Sequence, residues 1–463
     1  MIAGPLFLIV LPLALAPVVY LLRRWRLLAA SLASAATLVM ASLCLGPTFD
    51  RPVWVLGREV ALGQPMMVLG REFALGLVGG FTLGFIYLIA AIAFLFAWRI
   101  SQGGLFFPLG LIILSLLSAA VMIRHFLFAV LFLWIASLVA VFIVQGDREG
   151  PGRGALRYLV MVSLAVPPLL ITPWLIDLQA VNPDNLALLR YATVLLAMGF
   201  AILLAVVPFH GWVSAVAADA PPVVAAFVLT VTNAVALLLM LNLLQSYPWL
   251  SEDPQVFRLL RIGGLLMAAV GGLLAFAQRD FGHLLGYAVL SDMGCTLVAL
   301  SVASPTALTA ALLQVAHRSV GLMLAAMGLA VVGHRAGDDS FANLSGVARR
   351  LPLSTVGLVL GGLSLAGMPL TAGFPGRWAV YRLLSAPGLA LAMLLSGAGV
   401  ALGYLRGLSA LLSPSTESKV KREPFIASLV ILGMVVLCLG LGLRPQWLLP
   451  PIQWVVESFS FLR

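Results

Sequence analysis

The chain has 463 residues, 62% of them hydrophobic and only 10% charged, with a mean hydropathy of +1.10. A soluble domain carries roughly 25% charged residues, so these figures exclude a water-soluble enzyme and imply an all-α polytopic membrane protein. The net charge of +10 rests on 27 basic residues, of which only Lys419 and Lys421 are lysines. Basic clusters flank apolar runs, which suits membrane topology and anionic lipid headgroups and argues against a nucleic-acid partner.

At about 20 apolar residues per span, the sequence predicts fourteen transmembrane helices. They fall near 4–22, 27–46, 74–98, 104–122, 125–145, 157–176, 190–209, 221–246, 258–277, 283–302, 306–333, 352–384, 386–411 and 424–444. The first 20 residues lack a basic leader and read as a retained span. Between spans two and three, residues 46–71 have repeated Gly and alternating apolar residues, the pattern of a β-hairpin on one surface. Arg23, Arg24 and Arg26 follow span one and place that loop in the cytoplasm. Arg148, Arg153 and Arg157 then fall on the same side, as do Arg349 and Arg350 and later Lys419, Lys421 and Arg422. Both termini are therefore expected on the non-cytoplasmic side of a bacterial inner membrane. The tail after Arg444 carries Trp447 and Trp454 and is expected to lie in the interface.

Two spans combine Gly and Pro breakers with neighbouring polar residues. In span seven, Pro208-Phe209-His210-Gly211-Trp212 runs on to Asp219-Ala220-Pro221. Pro208 removes a backbone donor, and a break inside hydrocarbon persists only where protein or a water-filled cavity satisfies the freed groups. His210 and Asp219 beside it read either as part of a polar path or as solvated loop residues. In span twelve, Gly367-Met368-Pro369 leads into Gly373-Phe374-Pro375-Gly376-Arg377. The two broken spans lie five apart, an odd offset that inverts one unit relative to the other. Paired Gly/Pro-interrupted spans are the sequence pointer to an inverted-repeat transporter. Accordingly the chain divides into residues 1–100 (spans one to three with the external hairpin), 101–250 (first repeat, spans four to eight), 251–412 (second, inverted repeat, spans nine to thirteen) and 413–463 (span fourteen and the interfacial tail).

Four stretches carry a resemblance: Pro208–Trp212 with Ala220-Pro221; Gln278-Arg279-Asp280 before Leu284-Leu285-Gly286-Tyr287; Ser291-Asp292-Met293-Gly294; and the run from Leu363 to Arg377. The chain resembles the antiporter-like membrane subunits of respiratory complex I (NADH-quinone oxidoreductase) and their relatives in cation/proton antiporter complexes and membrane-bound hydrogenases. The last stretch is most similar to the N-type subunit. The resemblance implies proton movement along a central polar axis. Its key groups are a Glu on span five, Lys on spans seven and eight, and Lys or Glu on span twelve. Here those positions read Ile135 or Ala136, Leu203, Asn233 and Arg377, and on span eleven the Lys expected a turn after His317 is Gly321. A Lys shuttles protons because desolvation lowers its pKa into a useful range, whereas Arg stays protonated in almost any protein environment. With both lysines in one loop, no Lys relay exists in this chain.

The groups left at depth are Asp292 and His317, with Arg377 and Asn233 as fixed polar companions. An intramembrane carboxylate is a functional-site hypothesis by default because leaving it unpaired costs several kcal/mol. A structural ion pair with Arg318 or Arg377 explains Asp292 equally well. Arg377 is expected to hold backbone carbonyls freed at Pro369, and Arg406 to clamp neighbouring helices. Cys44, Cys295 and Cys438 show no metal or disulfide spacing, and no nucleotide, flavin, haem or iron–sulfur motif occurs. The subunit is expected to bind no cofactor or metal and to catalyse no redox step itself. Its expected partners are other polytopic subunits, lipid, and protons or other cations. Three alternatives remain: the membrane half of an inorganic-carbon uptake complex, a non-conducting structural spacer, and an independent transporter.

Overall fold

The computed structural model describes residues 2–46, 53–55, 58–147, 152–414 and 420–462; Arg148 and Lys419 lie outside this set. After strand β1 (Ile2–Ala3) come helices α1 (Gly4–Leu21) and α2 (Arg26–Leu45). Four short strands follow: β2 (Val53–Val55), β3 (Arg58–Ala61), β4 (Met66–Val68) and β5 (Arg71–Phe73). Then come α3 (Leu77–Ala97), α4 (Phe106–Met122), α5 (Phe126–Gln145), α6 (Arg153–Val181), α7 (Ala187–Leu203), α8 (Gly211–Asp219) and α9 (Pro222–Ser246). The second half holds α10 (Pro248–Ser251), α11 (Pro254–Ala277), α12 (Phe281–Leu300), α13 (Pro305–Ala336), α14 (Pro352–Leu365), α15 (Gly373–Leu383), α16 (Pro387–Leu412), α17 (Phe425–Leu443) and α18 (Leu449–Glu457). Among the described residues, eleven helices are long and apolar enough to cross a membrane, and α4, α7 and α14 are shorter apolar helices. The protein is thus a multi-pass membrane protein.

The surface segment differs in detail from one hairpin over 46–71. Its described part forms two small units, a three-stranded sheet in the order β1-β3-β2 and a separate β4–β5 pair. The β4–β5 turn is two residues, Leu69 (φ 49°) and Gly70 (φ 72°), flanked by the Val68–Arg71 pair. Positive φ at both central positions is the turn geometry whose twist matches antiparallel strands. Glu72 then ties this unit to the start of α5 through Arg124 at 3.2 Å.

Burial separates the inner helices from the outer ones. The most apolar stretch of α9 is 94% buried, and so is that of α13, against 28% for α1. Helices enclosed this fully are apolar all round, so their few polar residues are surrounded by protein. Close packing rests on small residues, as in other membrane bundles. A Cβ added at Gly361 of α14 would meet Gly321 O of α13 at 2.6 Å, with the Ala325 backbone nitrogen closer still. A Cβ added at Gly321, where the resemblance implies a Lys, would meet Ser364 Oγ at 3.0 Å, which leaves no room for a long side chain.

The chain between α7 and α8 leaves helical geometry over residues 204–210, with a cis Val207–Pro208 bond and Ala205 at φ 58°. Between α14 and α15, residues 366–372 do the same, with Gly367 at φ 75° and Leu370 at φ 71°. Both segments therefore place a non-glycine residue in the left-handed region, a strain of order 1–3 kcal/mol that surrounding structure must hold. α8 packs on α6 and α12, and α15 packs on α13, so each segment is braced by a central helix.

Arg406 of α16 lies on the bundle's surface and reaches α11, the clamp between neighbouring helices expected of it. It caps the C-terminal end of α11 by donating to Gln278 O at 2.8 Å and to Phe276 O, and its guanidinium lies 4.9 Å from the Phe276 ring centre. The tail helix α18 sets Trp454 against Phe81 of α3 at 6.2 Å, with Gln245 at the end of α9 bonded to Ser460 at 2.7 Å.

Substituting Gly361→Val is expected to cost about 2 kcal/mol or more, because the side chain must displace the α13 backbone. Gly433→Val on α17, where nothing lies within 4 Å of the added Cβ, is the control. Thermal unfolding in detergent should show a lowered Tm for the first and not for the second.

Candidate functional site: a buried charge cluster

Two helices, α13 and α15, bring polar side chains against Asp292, and their arginines connect it to α9 and to the end of α14. Asp292 sits on α12 with Ser291 beside it and Thr296 one turn on; α13 presents Gln314 and Arg318, spaced i, i+4 and so stacked on one face. Asp292 Oδ2 lies 3.6 Å from Arg318 Nη1, and Oδ1 lies 3.9 Å from Arg377 Nη2, with all three side chains at 4% exposure or less. Gln314 donates from Nε2 to Asp292 Oδ1. Arg318 also reaches α9, donating from Nη2 to Asn233 Oδ1 at 2.7 Å and from Nη1 to Thr296 Oγ1 at 3.4 Å. Arg377 comes from α15 and donates to Ala366 O at 2.6 Å, a carbonyl freed where α14 ends.

A hydroxyl chain extends the cluster to α16 and α11. Arg377 Nη2 donates to Ser291 Oγ at 3.5 Å, and Ser291 and Ser396 share a bond of 2.6 Å. Ser396 Oγ donates to Ala268 O at 2.6 Å. Its proton is thereby committed, so Ser291 donates to Ser396 and accepts from Arg377. Small residues make room for the guanidinium: a Cβ at Gly397 would meet Arg377 Nη1 at 2.5 Å, and one at Gly367 would meet Arg377 Cδ.

The arrangement holds two guanidinium groups against one carboxylate. In the low dielectric of a bundle interior, a charge pair is strengthened, but each ion must be compensated by hydrogen bonds as well. Asp292 is paired to Arg318 and to Arg377 together, the two partners that the sequence offered for an ion pair. His317, one residue before Arg318, is fully buried, and neither ring nitrogen has a hydrogen-bond partner among the described residues. Among the described residues, the Asn233 amide donates to the Met293 thioether at 4.0 Å, a weak acceptor.

Other sequence candidates lie apart from this cluster. His210 precedes α8 with a buried, unpartnered Nδ1. Asp219 ends α8, about 13 Å further along at 1.5 Å per residue, and accepts the Gly154 N–H at 2.6 Å where α6 begins. It thus satisfies a donor that a helix start leaves open. Pro208 lies within the first interruption. Pro369 is on the exposed side of the second, with Met368 and Leu370, while the buried side is the Ala366 carbonyl held by Arg377. Ile135 faces outward at 40% exposure, and Ala136 is fully buried.

Asp280 precedes α12 and accepts from the His283 N–H and ring Nδ1, each at 2.8 Å. Burial raises its pKa, but these hydrogen bonds outweigh burial and hold the carboxyl below its usual range. Asp338, in the loop after α13, accepts from Asn343, Ser340 and the Asp339 N–H, which lower its pKa to about 2. Asp339 Oδ2 accepts the Gly282 N–H at 3.0 Å. This loop fixes the start of α12 and hence the height of Asp292. Sequence reasoning missed Gln314, Thr296 and Ser396. The polar i, i+4 pairs Asp292/Thr296 and Gln314/Arg318 within apolar runs were the signal available.

Comparison with known proteins gives concordant results. Residues 127–403 match the family model described as NADH:quinone oxidoreductase/Mrp antiporter, TM. Formate hydrogenlyase subunit 3 of Escherichia coli is 26% identical over 360 residues, covering 70% of this chain and 58% of that protein. The chain thus spans less than two thirds of that relative. NADH-quinone oxidoreductase subunit N of Cereibacter sphaeroides is 30% identical over 331 residues, covering 68% of this chain and 71% of its own length. Among solved structures, a chain of the Mrp complex from Dietzia sp. superposes with a TM-score of 0.83 at 18% identity, covering 98% of this chain and 97% of that one. That identity establishes the shared fold alone.

Replacing Arg377 by Met leaves the Ala366 carbonyl unbonded and Asp292 with one guanidinium. The expected loss is about 3 kcal/mol, the usual range for breaking a buried pair, read as a lowered Tm in detergent. Arg377→Met combined with Asp292→Leu should lose more, because Arg318 is then left buried without its carboxylate.

Proposed function

Because the chain belongs to the NADH:quinone oxidoreductase/Mrp antiporter membrane family, we propose that it is an antiporter-like subunit of a redox-driven, ion-translocating membrane complex. It adjoins other polytopic chains there and passes protons or other cations without a Lys relay. The observation that carries this reading is the buried chain Asn233–Arg318–Asp292–Arg377–Ala366 O, which links α9 to the second interruption. In this reading α7 with α8, and α14 with α15, are two discontinuous spans. Counting each pair as one span and adding α4 to the long helices gives fourteen spans, with residues 101–250 and 251–412 as inverted repeats.

The relay implied by the family is replaced rather than merely deleted. Ile135 or Ala136, Leu203 and Gly321 carry no charge, but Arg318 brings a guanidinium to Asn233, the position of the span-eight Lys. Arg does not release its proton, so Arg318 and Arg377 act as fixed charges that set the field around Asp292. Proton exchange then falls to Asp292, His317 and water, with His210 and Asp219 at the first interruption nearer the membrane face. Arg377, Gly367 and Pro369 shape the second interruption, as Pro208 shapes the first.

The test is to introduce Asp292→Asn and His317→Phe separately, confirm assembly of the intact complex, and measure ion pumping per turnover. A loss of pumping of at least several-fold with assembly retained is expected. Unchanged stoichiometry in both variants would sink the conducting role and leave the spacer reading.

Orientation follows from the basic clusters. Cys44, Cys295 and Cys438 are all buried, so the native chain should be silent to a membrane-impermeant maleimide. Arg350→Cys should label from the cytoplasmic face only, and Glu252→Cys from the opposite face only. The reverse pattern would overturn the assignment of both termini to the non-cytoplasmic side.

A further inference from the structure

A polar pocket of ≈ 210 Å³ opens at the membrane face where α5 begins and where α6 and α9 end. Arg124 and His125 border it from the chain just before α5, Asp177 from the last turns of α6, and Asn242, Ser246 and Tyr247 from the end of α9. The lining combines both signs of charge. Arg124 is held twice by Glu72 of β5: its backbone N–H donates to Glu72 O at 3.2 Å, and its Nε lies 3.2 Å from Glu72 Oε1. Among the described residues neither Nη group of Arg124 has a partner, and α5 starts beside them with the positive end of its dipole. Asp177 forms no hydrogen bond or ion pair among the described residues, yet its charge reaches Tyr247. Burial chiefly, and then this carboxylate, raises the pKa of the Tyr247 hydroxyl. The negative ends of the α6 and α9 dipoles lie on that side. Trp174, exposed next to the lining residue Pro173, sets the depth as that of the membrane–water interface.

We propose that this pocket binds the headgroup of a phospholipid that joins a phosphate to a primary ammonium, as in phosphatidylethanolamine. The phosphate takes the Arg124 guanidinium and His125, and the ammonium takes Asp177 with the Asn242 carbonyl and the Tyr247 hydroxyl. Charge complementarity selects a zwitterion, because an anionic head leaves Asp177 without a counter-charge. A guanidinium holds phosphate oxygens in a two-pronged geometry. Hydrogen bonding selects a primary ammonium: carboxylate, amide and hydroxyl oxygens accept its N–H groups, whereas a trimethylated ammonium has none to give. Size selects the head alone. The pocket is smaller than the roughly 300–1,000 Å³ of small-molecule sites, so the acyl chains stay in the bilayer along the apolar face that α6 exposes at Ile171 and Trp174. The inference does not depend on whether the buried charge cluster conducts ions.

The experiment uses the full chain in its intact complex, in phosphatidylcholine nanodiscs with a trace of phosphatidylethanolamine carrying a diazirine at the start of one acyl chain. Saturable labelling of peptides from the start of α5 and the ends of α6 and α9 is expected. Replacing part of the phosphatidylcholine by unlabelled phosphatidylethanolamine should suppress it, and the same fraction of phosphatidylglycerol should not. Asp177→Asn and Arg124→Gln should each reduce labelling about five-fold, the effect of one partly exposed charge contact. If either fails to assemble, Asn242→Phe fills the pocket from the exposed side of α9. Equal suppression by phosphatidylglycerol, meaning annular lipid only, would overturn the proposal. So would labelling that does not saturate, or that Asp177→Asn and Asn242→Phe leave unchanged. Competition by water-soluble glycerophosphoethanolamine as strong as by the lipid would overturn the membrane source of the headgroup.

Discussion

A carboxylate held between two guanidinium groups inside an apolar bundle is the constraint on which the centre of this protein depends. Asp292 cannot stay ionised there alone, and neither Arg318 nor Arg377 can lose its charge. Their mutual placement therefore fixes three helices against one another: α12, which carries the acid, α13, which carries Arg318, and α15, which carries Arg377. The reach of Arg318 to Asn233 adds α9. Helices with apolar surfaces slide easily past each other, because lipid and side chains offer equivalent contacts. A hydrogen-bonded charge network has one good geometry, so it specifies rotation and depth where dispersion does not.

The second interruption depends on the same network. Unwinding α14 at Ala366 frees a carbonyl that hydrocarbon cannot satisfy, and Arg377 returns from α15 to bond it. One side chain thus closes the break it follows and contributes to the field at Asp292. The first interruption has no such arginine. It is held by packing, by Trp212 Nε1 donating to Ile202 O at 3.3 Å, and by Asp219 on the start of α6. Its outer side is an apolar groove, which makes Leu204 a thin partition between the bilayer and the cluster.

The positive charges at the centre of this chain are guanidinium groups, Arg318 and Arg377. A flexible ammonium whose pKa responds to burial suits a proton relay, whereas guanidinium groups suit a fixed field. The guanidinium of Arg318 on α13 approaches Asn233 of α9 from the facing helix. At Gly321 the closeness of Ser364 and of the α14 backbone leaves no space for a long side chain.

The sequence by itself determined the class and the family. Ten per cent charged residues in long apolar runs leave no soluble alternative, and the stretches around His210, Asp292 and Pro369 are specific enough to identify relatives. It also named the charged residues at depth, because a lone Asp or Arg in an apolar run is visible without coordinates. Which of them meet was decided by tertiary structure. Helices α9, α12 and α13 are apolar on every side, so no hydrophobic stripe reports how each is rotated. At 100° per residue, a one-residue change of facing separates Asp292 from both arginines. The surface strands show the same limit. Alternation in residues 46–71 predicts extended structure, but the split into two units depends on β1 from the N-terminus lying beside β3, a long-range pairing that no local pattern encodes.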